Sequence, residues 1–491
     1  MRSLIYRTAI EHGKMKKRII LCFFFSFFVV YAIFARWPGM NENSRLFLTA
    51  SIVDYNSFYI DNFYNQTTDR SFYKGHYYSD KEPGLSIIST HLYFLAKVFF
   101  NLLPNKENLL SFDYDNFKIH KVYNSEIITY LNPSKLFLTS QFLLTILTSG
   151  LFTILTSYII FKLSIRETRS LKKSLFFAFT YSMASLAFHY SLVFLNHAMS
   201  TFLMALAFYL LYISFKKRKE ICLYLSVMIS SFSLIVDASS IIFLFLLYGF
   251  LLYKKDAKLV KLIAITLIGV LPAMLFNYVN FDNPLVFPRF YLEENVWKPF
   301  PGAKGVISEP NFVLNSAWRL LIDPYKGILF YYPYLILSFM IMLTPNRRNT
   351  LVLFSFMFFV FNLLLSSSWW AWWHGAVFGA RLMVLSFPFL FFLLIKSSEK
   401  IGSVYVYLLP LVLVGLFINM SGLQKNYEDI LKDMDNNSMM KQEFQEKFEN
   451  LEFLPNVIKD YYLTGLLKNG VYSFVIESIT KKGYIDIRAH V

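Results

Sequence analysis

Cysteine and charge are both scarce in this sequence of 491 residues. The two cysteines, Cys22 and Cys222, lie far apart, each near the start of an apolar run. They offer no disulfide framework and no CxxC metal site, which argues against redox chemistry and structural zinc. Charged residues make up only 16% of the chain, below the roughly 25% of soluble globular proteins. The composition therefore argues against a soluble protein.

Three further features are missing from the sequence. No internal repeat stands out, which argues against an inverted-repeat transporter. No glycine-rich loop of the nucleotide-binding type is evident, which disfavours a soluble nucleotide-sugar donor. The middle parts of the long apolar runs carry almost no charge. A flippase would need charged residues along a path through the membrane, so this class is also disfavoured.

Apolar residues dominate what is present. The chain is 56% hydrophobic and 19% aromatic, with a mean hydropathy of +0.44, and many runs approach the ~20 residues that cross a bilayer. We predict an all-α integral membrane protein with about eleven transmembrane helices. The predicted spans are residues 19–35, 136–161, 174–192, 198–215, 221–236, 238–253, 262–280, 328–344, 350–366, 382–395 and 402–419.

The distribution of basic residues predicts the orientation of these spans. With the N-terminus in the cytoplasm, the predicted cytoplasmic loops contain 23 of the 48 Lys and Arg residues but only 5 of the 32 Asp and Glu residues. This is the positive-inside pattern. The formal charge of +16 is thus explained by topology, and nucleic acid is not a predicted partner. The C-terminus is predicted to lie outside.

Two segments near the N-terminal end allow alternatives. The segment after Lys16-Lys17-Arg18 has the form of a signal peptide, but so many later spans favour an uncleaved first helix. Residues 85–103 are apolar enough to cross the membrane. We expect them to lie along the outer interface instead, because every later basic cluster then falls in the cytoplasm.

We predict a membrane domain over residues 1–420 and an outer C-terminal segment over residues 421–491.

The first outer segment, Asn41 to Gly84, concentrates the charge of the chain. Glu42 follows the first span by a few residues, so it is expected near the membrane boundary. A carboxylate in this position is suited to activating an acceptor hydroxyl, while cations hold an anionic leaving group such as phosphate. The nearby cations are Arg45, Lys74, His76 and Lys81. The competing interpretation is that these are ordinary solvated loop charges.

Several motifs resemble one family of membrane enzymes. Asn41-Glu42 after the first span, and Tyr78-Ser79-Asp80-Lys81-Glu82-Pro83-Gly84 before an apolar helix, resemble the first outer loop of GT-C-type glycosyltransferases. Relatives of protein O-mannosyltransferase and aminoarabinose transferase carry an acidic motif and a Tyr-x-x-Lys-x-Pro motif there. Later matches are Phe194-Leu195-Asn196-His197-Ala198, Asn277 to Pro284, Asp323 to Phe330, and Trp373-His374-Gly375 with Phe378-Gly379-Ala380-Arg381. The resemblance covers residues 36–390.

The resemblance implies roles for particular residues. Many family members have Asp-Glu where this chain has Asn41-Glu42, so the role of catalytic base moves to Glu42 or to Asp69. Lys81 and Arg381 are implied to bind the donor phosphate. For Lys81 and Arg381 the alternatives are contacts with lipid headgroups and interfacial anchoring; for Asp69 the alternative is a loop cap.

The remaining candidate residues carry weaker signals. His197 and His76 are further candidates for the phosphate site, although a packing histidine explains His197 almost as well. Asp237, between two spans, is expected to be a turn residue. The tryptophan cluster from Trp369 to Trp373 is expected mainly in the interfacial belt, with one member able to contact sugar. The candidate substrate-binding residues are Asn41, Arg45, Tyr78, His374 and Trp373.

Together these observations predict a membrane glycosyltransferase, with the inverting mechanism that the resemblance implies. It would transfer a sugar from a polyprenyl-phosphate carrier to a hydroxyl group of a glycan, lipid or protein on the outer face. No metal site is predicted, although a divalent cation stays open as a cofactor. The plasma membrane of a bacterium or archaeon is favoured over an endomembrane. A flippase and a ligase for lipid-linked glycans are the alternatives; the loop from Phe281 to Gly327 lacks the histidine expected of the ligase.

Overall fold

The protein was analysed as a computed structural model. The structure describes residues 2–36, 39–102, 120–123, 126–129, 135–253, 258–293, 308–323, 326–369, 371–374, 377–399 and 404–423. The predicted C-terminal segment, residues 421–491, lies almost entirely outside the described residues, as do Trp297 and Trp370.

The first half of the chain contains eleven α-helices and two hairpins within the described residues. The helices are α1 (Arg2–Phe34), α2 (Met40–Tyr55), α3 (Gly84–Leu102), α4 (Lys135–Thr145), α5 (Leu151–Thr168), α6 (Leu171–Met183), α7 (Ala187–Ser191), α8 (Asn196–Lys217), α9 (Glu220–Phe232), α10 (Ile241–Tyr253) and α11 (Leu259–Phe281). The strands pair as β1 (Arg70–Tyr73) with β2 (His76–Ser79), and β3 (His120–Tyr123) with β4 (Glu126–Thr129), both antiparallel. A π-helical turn, Ile146–Gly150, joins α4 to α5.

In the second half, short and long helices are the main regular structure among the described residues. It contains α12 (Pro310–Ile322), α13 (Ile328–Tyr331), α14 (Ile336–Met340), α15 (Thr350–Ser367), α16 (Phe387–Ser397) and α17 (Val404–Ser421). Short 3₁₀ segments connect several of these helices, among them Pro333–Leu335, Ile341–Leu343 and Arg381–Ser386. The predicted span 328–344 is thus a chain of short helical pieces around Pro333, because proline cannot continue the helical hydrogen-bond ladder.

Among the described residues, six helical segments are long and apolar enough to cross a membrane. They are Lys17–Phe34, Gly84–Leu102, Leu136–Thr168, Asn196–Lys217, Leu259–Phe281 and Thr350–Ser367. The protein is therefore an all-α integral membrane protein, as predicted. The total of about eleven spans stays a prediction, because the other predicted spans coincide with shorter helices. The interfacial position of the helix after Pro83 also stays a prediction, since this helix has the length to span.

The first outer segment is folded rather than a loop. Helix α2 is followed by a 3₁₀ turn, Asp61–Gln66, by the β1–β2 hairpin and by α3. The hairpin turns at Lys74-Gly75, where both residues have positive φ, 47° and 88°. Such a two-residue turn matches the twist of the strands and favours glycine. Asp69 and Asp80 consequently flank the open end of the hairpin.

Polar side chains form hydrogen bonds with backbone groups where a helix is interrupted inside the apolar core. The helical structure is interrupted between α6 and α7. There, Asn419 on α17 donates hydrogen bonds to the carbonyl oxygens of Met183 and Ser185, both at 2.8 Å. Tyr332 in turn donates to the Asn419 side chain at 2.8 Å. Unpaired carbonyl groups are costly in an apolar environment. Asn419 thereby joins three distant parts of the chain.

We expect Gly84→Ala to destabilise the protein. A Cβ atom at Gly84 would lie 2.7 Å from the Ile235 carbonyl oxygen and 2.7 Å from Val236 Cγ2, and overpacking of this kind costs about 1–3 kcal/mol. Gly249→Ala is the matched control, because nothing lies within 4 Å of its Cβ position and alanine favours helix. Thermal unfolding in detergent should show a lower Tm for Gly84→Ala alone. An equal Tm for both variants would contradict the close packing.

Candidate functional site

The β1–β2 hairpin determines which carboxylates face each other. Arg70 pairs with Ser79 at its open end, so the next residues outward, Asp69 and Asp80, lie side by side. The Lys81 ammonium contacts both carboxylates, at 2.9 Å from Asp69 Oδ2 and 2.6 Å from Asp80 Oδ2. One cation thus holds together two like charges that would otherwise repel each other.

The two carboxyl groups of this pair differ in acidity. Burial would raise the pKa of Asp69, but the charge and hydrogen bond of Lys81, with the charges of Arg381 and Arg45, outweigh burial and lower it below its usual value. For Asp80, burial raises the pKa; Lys81 opposes this change and the charge of Asp69 adds to it. Asp69 is therefore the more readily ionised member.

Helix α2 brings a carboxylate and an arginine to the same place. Glu42, in its first turn, accepts a hydrogen bond from the Gly39 amide at 3.1 Å and is 9% exposed. One turn later Arg45 donates to the Asn41 carbonyl oxygen at 3.1 Å and to Asn196 Oδ1 at 2.8 Å. Arg45 also contacts the Asn41 side chain. Its charge interacts with those of the surrounding acidic residues, and its Nε is buried without a hydrogen-bond partner among the described residues.

Hydroxyl groups fix α2 against the hairpin. Ser44 Oγ donates to the Asp69 carbonyl oxygen at 2.6 Å and lies 2.8 Å from Ser79 Oγ. Ser86 donates to the Arg45 carbonyl oxygen at 2.9 Å, which ties the start of α3 to the same helix. The positions of Glu42, Asp69 and Lys81 thus depend on each other through buried hydrogen bonds.

Arg381 reaches this group of charges from the opposite end of the sequence. Its charge acts on Asp69, Arg45 and His197. Within the described part of the chain no carboxylate lies within 4.0 Å of Arg381, and its buried Nε has no hydrogen-bond partner. Arg381 is therefore a cation whose charge is balanced only at longer range. A group of this kind is ready to receive an anion.

His374 is fully buried, and its Nδ1 lies 3.4 Å from the amide nitrogen of Leu382, the residue after Arg381. Burial, followed by the charges of Arg381 and Lys326, lowers the pKa of His374 well below its usual value. The Lys326 side chain is also fully buried and donates to the Val377 carbonyl oxygen. His374 is therefore neutral at physiological pH, because protonation would add a third positive charge to a closed space.

His197 is paired with an acid that the sequence suggested only as a turn residue. His197 Nδ1 lies 3.8 Å from Asp237 Oδ2, and Ser200 Oγ donates to the same oxygen at 3.3 Å. Asp237 does cap a turn, since it accepts from the Ser239 amide at 3.0 Å. It therefore has two roles. Its place at the end of an apolar run is the signal that could have marked it as a functional candidate.

Two further residues of the site were missed in the sequence. Burial, followed by the negative charge of Asp237, raises the pKa of Glu82, and its charge also interacts with Arg45 and Lys81. Arg289 packs its guanidinium over the Trp369 ring at 4.6 Å and interacts electrostatically with Asp80, Arg381 and Glu82. Glu82 lies within the Tyr78 to Gly84 motif. The sequence offered no specific signal for Arg289.

Three further candidate residues make contacts with residues outside this group of charges. His76 pairs with Asp61 at 2.7 Å and stacks on Tyr59. Tyr78 packs against Phe281, with ring centroids 4.9 Å apart, in an aromatic cluster that docks the hairpin on α11. Trp373 lies edge-on to Trp372. Among the described residues, these contacts identify structural roles for His76 and Tyr78.

The structure thus brings together most of the candidates. The charged cluster consists of Glu42, Arg45, Asp69, Asp80, Lys81, Glu82, His197, Asp237, Arg289, His374 and Arg381. These residues come from five of the segments predicted to lie outside. In the part of the chain that the structure describes, no group of three or more His, Cys, Asp and Glu side chains is arranged to hold a metal ion.

Comparison with known proteins gives similarity at the level of overall structure. No family model and no curated protein sequence matches the chain. Crystal structures of ArnT from Cupriavidus metallidurans, bound to undecaprenyl phosphate and in the apo state, share 12% and 10% identity at a TM-score of 0.47. The Archaeoglobus fulgidus oligosaccharyltransferase in complex with Zn and sulfate shares 12% identity at a TM-score of 0.46.

The matched regions cover most of this chain and a smaller part of the other proteins. They cover 82%, 84% and 85% of this chain, but 62%, 63% and 54% of the respective structures. The chain therefore spans less than two thirds of the length of the proteins it resembles.

We expect the charge state of His374 to make stability depend on pH. Its folded pKa lies below the unfolded value of about 6.5, so the unfolded state binds more protons in that window and stability falls as pH drops below about 6.5. His374→Gln should show a smaller decrease in Tm between pH 7.5 and pH 5.5 than the unmodified protein. Equal decreases would show that His374 takes up its proton without cost in the folded state.

Proposed function

We propose that this protein is a membrane glycosyltransferase. It transfers a sugar from a polyprenyl-phosphate carrier to a hydroxyl group of a glycan, lipid or protein. The lipid bilayer surrounds the protein and holds the apolar tail of the carrier. The phosphate and the sugar of the donor bind at the charged cluster, at the membrane surface. The reaction is proposed to take place on the outer face.

One observation carries this proposal. Two arginines of the charged cluster, Arg381 and Arg45, are not ion-paired within 4.0 Å among the described residues, and each has a buried Nε without a hydrogen-bond partner. Buried guanidinium groups normally have their donors satisfied. A phosphate oxygen supplies both the charge and the acceptor that these groups lack. Lys81 lies in the same cluster and adds a third positive charge.

The proposed reaction needs few groups. The acceptor oxygen forms a bond to the anomeric carbon while the bond from that carbon to the phosphate oxygen breaks. The phosphate leaves with the electron pair, stabilised by Lys81 and Arg381, and the acceptor proton moves to a carboxylate. Attack from the side opposite the leaving group inverts the anomeric centre. The fixed cations stabilise the charge that develops on the phosphate as the bond breaks.

Glu42 is our choice for the proton acceptor. Asp69 is engaged by Lys81 at 2.9 Å, and its lowered pKa makes it a weaker base. Lys81 must also turn towards the donor phosphate, and the carboxylates of Asp69 and Asp80 hold it ready in the absence of substrate. We therefore assign Asp69 the positioning of Lys81, and Glu42 the proton.

We expect Lys81→Ala and Arg381→Ala each to lower sugar transfer by about 10²- to 10³-fold, the usual loss when a charge-stabilising group is removed. The assay uses membranes that contain the full chain and a panel of labelled polyprenyl-phosphate sugars. Lys74→Ala is the control, because Lys74 is a lysine of the same outer segment that pairs with exposed Asp282. Unchanged transfer by both site variants would refute the proposed phosphate site.

Carboxylate variants test the assignment of the base. Glu42→Gln should reduce transfer by about 10²- to 10⁴-fold, because it removes the proton acceptor, without weakening retention of the lipid phosphate. Asp69→Asn should instead weaken retention of the donor, because Lys81 loses a partner that orients it. Donor retention is measured by co-purification of labelled polyprenyl phosphate. The reverse pattern would transfer the role of base to Asp69.

A further inference from the structure

A second polar site lies at the end of α8 opposite to the charged cluster. A cavity of about 440 Å³ opens between the C-terminal ends of α5 and α8 and the residues after α16. Its lining includes Arg166 and Arg169 from the end of α5, and Lys216 and Lys217 from the end of α8. These residues belong to the segments predicted to face the cytoplasm. The proposed transfer reaction makes no use of them.

The positive charge of this cavity is only partly balanced. Its two acids, Glu167 and Glu399, are both bound by Lys396, with 2.7 Å to each carboxylate. Lys216 lies 3.8 Å from Glu167. Within the described residues, no carboxylate lies within 4.0 Å of Arg166, Arg169 or Lys217. The lining therefore has an excess of positive charge.

Aromatic rings hold two of these cations in place. The Arg166 guanidinium lies 4.8 Å from the centroid of the Tyr209 ring, and Lys216 Nζ lies 5.9 Å from that of Tyr212. Cation–π contacts of this kind orient a charged group without neutralising it. Both cations thus have a defined direction at the cavity, and the charge of Arg166 stays available because no carboxylate lies within 4.0 Å of it among the described residues.

The depth of the cavity identifies the layer of the bilayer that it meets. Helix α8 begins at the charged cluster with His197 and ends at the cavity with Lys216, and 19 helical residues cover about 28 Å. The hydrocarbon core of a bilayer is about 30 Å thick. When the charged cluster lies at one headgroup layer, the cavity therefore lies at the other.

A simpler interpretation explains part of this arrangement. Basic residues are favoured at helix C-termini by the helix dipole and in cytoplasmic loops by membrane insertion. These two effects account for cations near the membrane. They do not account for a cavity with four cations around it and two acids bound by a fifth cation, Lys396. A negatively charged ligand accounts for the four cations around a cavity whose own acids are already bound.

We propose that this cavity binds the phosphate group of an anionic phospholipid in the cytoplasmic leaflet. The phosphate supplies the missing negative charge, and the acyl chains extend along the apolar surfaces of the neighbouring helices. Each Lys or Arg near an anionic surface contributes about fivefold to affinity. Two of the four cations should then account for at least about tenfold.

Native mass spectrometry of the detergent-purified full chain tests the proposal. The probes are dioleoylphosphatidylglycerol, dioleoylphosphatidylcholine and inorganic phosphate. Arg166→Gln with Arg169→Gln removes the two cations of α5, and Lys216→Gln with Lys217→Gln removes those of α8. The matched control is Arg347→Gln with Arg348→Gln. These two arginines are also exposed and lie in a predicted cytoplasmic loop, but they do not line the cavity. The Tm of each variant in detergent verifies that it folds.

The expected result is one phosphatidylglycerol molecule bound more tightly than phosphatidylcholine. Each cavity pair should weaken this binding by at least about tenfold, and the control pair should leave it unchanged. Equal weakening by all three pairs would show a general surface charge effect and overturn the proposal. Binding of inorganic phosphate that displaces the lipid, and that is lost in the cavity variants, would overturn the lipid as the ligand and identify free phosphate instead.

Discussion

Charge is expensive inside a hydrocarbon layer, and this constraint organises the molecule. A buried charge must be paired, hydrogen-bonded or moved to the membrane surface. In this chain the charges collect at the two ends of the long apolar helices, about 28 Å apart along α8. At one end they form the charged cluster around Lys81, and at the other they line the cavity around Arg166. The core between them is closed by aromatic rings and by polar groups such as Asn419.

The two charged regions differ in how their charges are arranged. In the cluster, acids lie among cations, and hydrogen bonds fix several of these groups, such as Glu42 to the Gly39 amide and Arg45 to Asn196 at the start of α8. Lys81 between Asp69 and Asp80 shows the principle: the pair of acids keeps the cation in position, and the cation keeps the acids together. Arg381 and Arg45 are the exceptions, since no carboxylate lies within 4.0 Å of either among the described residues and each has a buried Nε without a hydrogen-bond partner. An exception of this kind in a balanced network is where an anionic substrate group is expected.

The first outer segment shows how folding converts a charged stretch into a site. A hairpin brings Asp69 and Asp80 together although ten residues separate them, and its turn depends on the positive φ of Lys74 and Gly75. The same hairpin directs His76 away, to Asp61, and buries Tyr78 against Phe281. Successive side chains of a strand point to opposite faces, so Tyr78 packs against Phe281 while its neighbour Ser79 lies 2.8 Å from Ser44 Oγ on α2.

The sequence alone determined that this is an integral membrane protein with long apolar helices, and it identified many of the residues in the cluster. Apolar runs, and the ionisable residues at their ends, can be recognised from neighbouring residues in the sequence alone. Only the tertiary structure decided which ionisable residues meet. Arg289 and Glu82 join the cluster, and Asp237 pairs with His197, through contacts between segments far apart in the chain. The charge that a residue experiences depends on these neighbours, which no local pattern specifies.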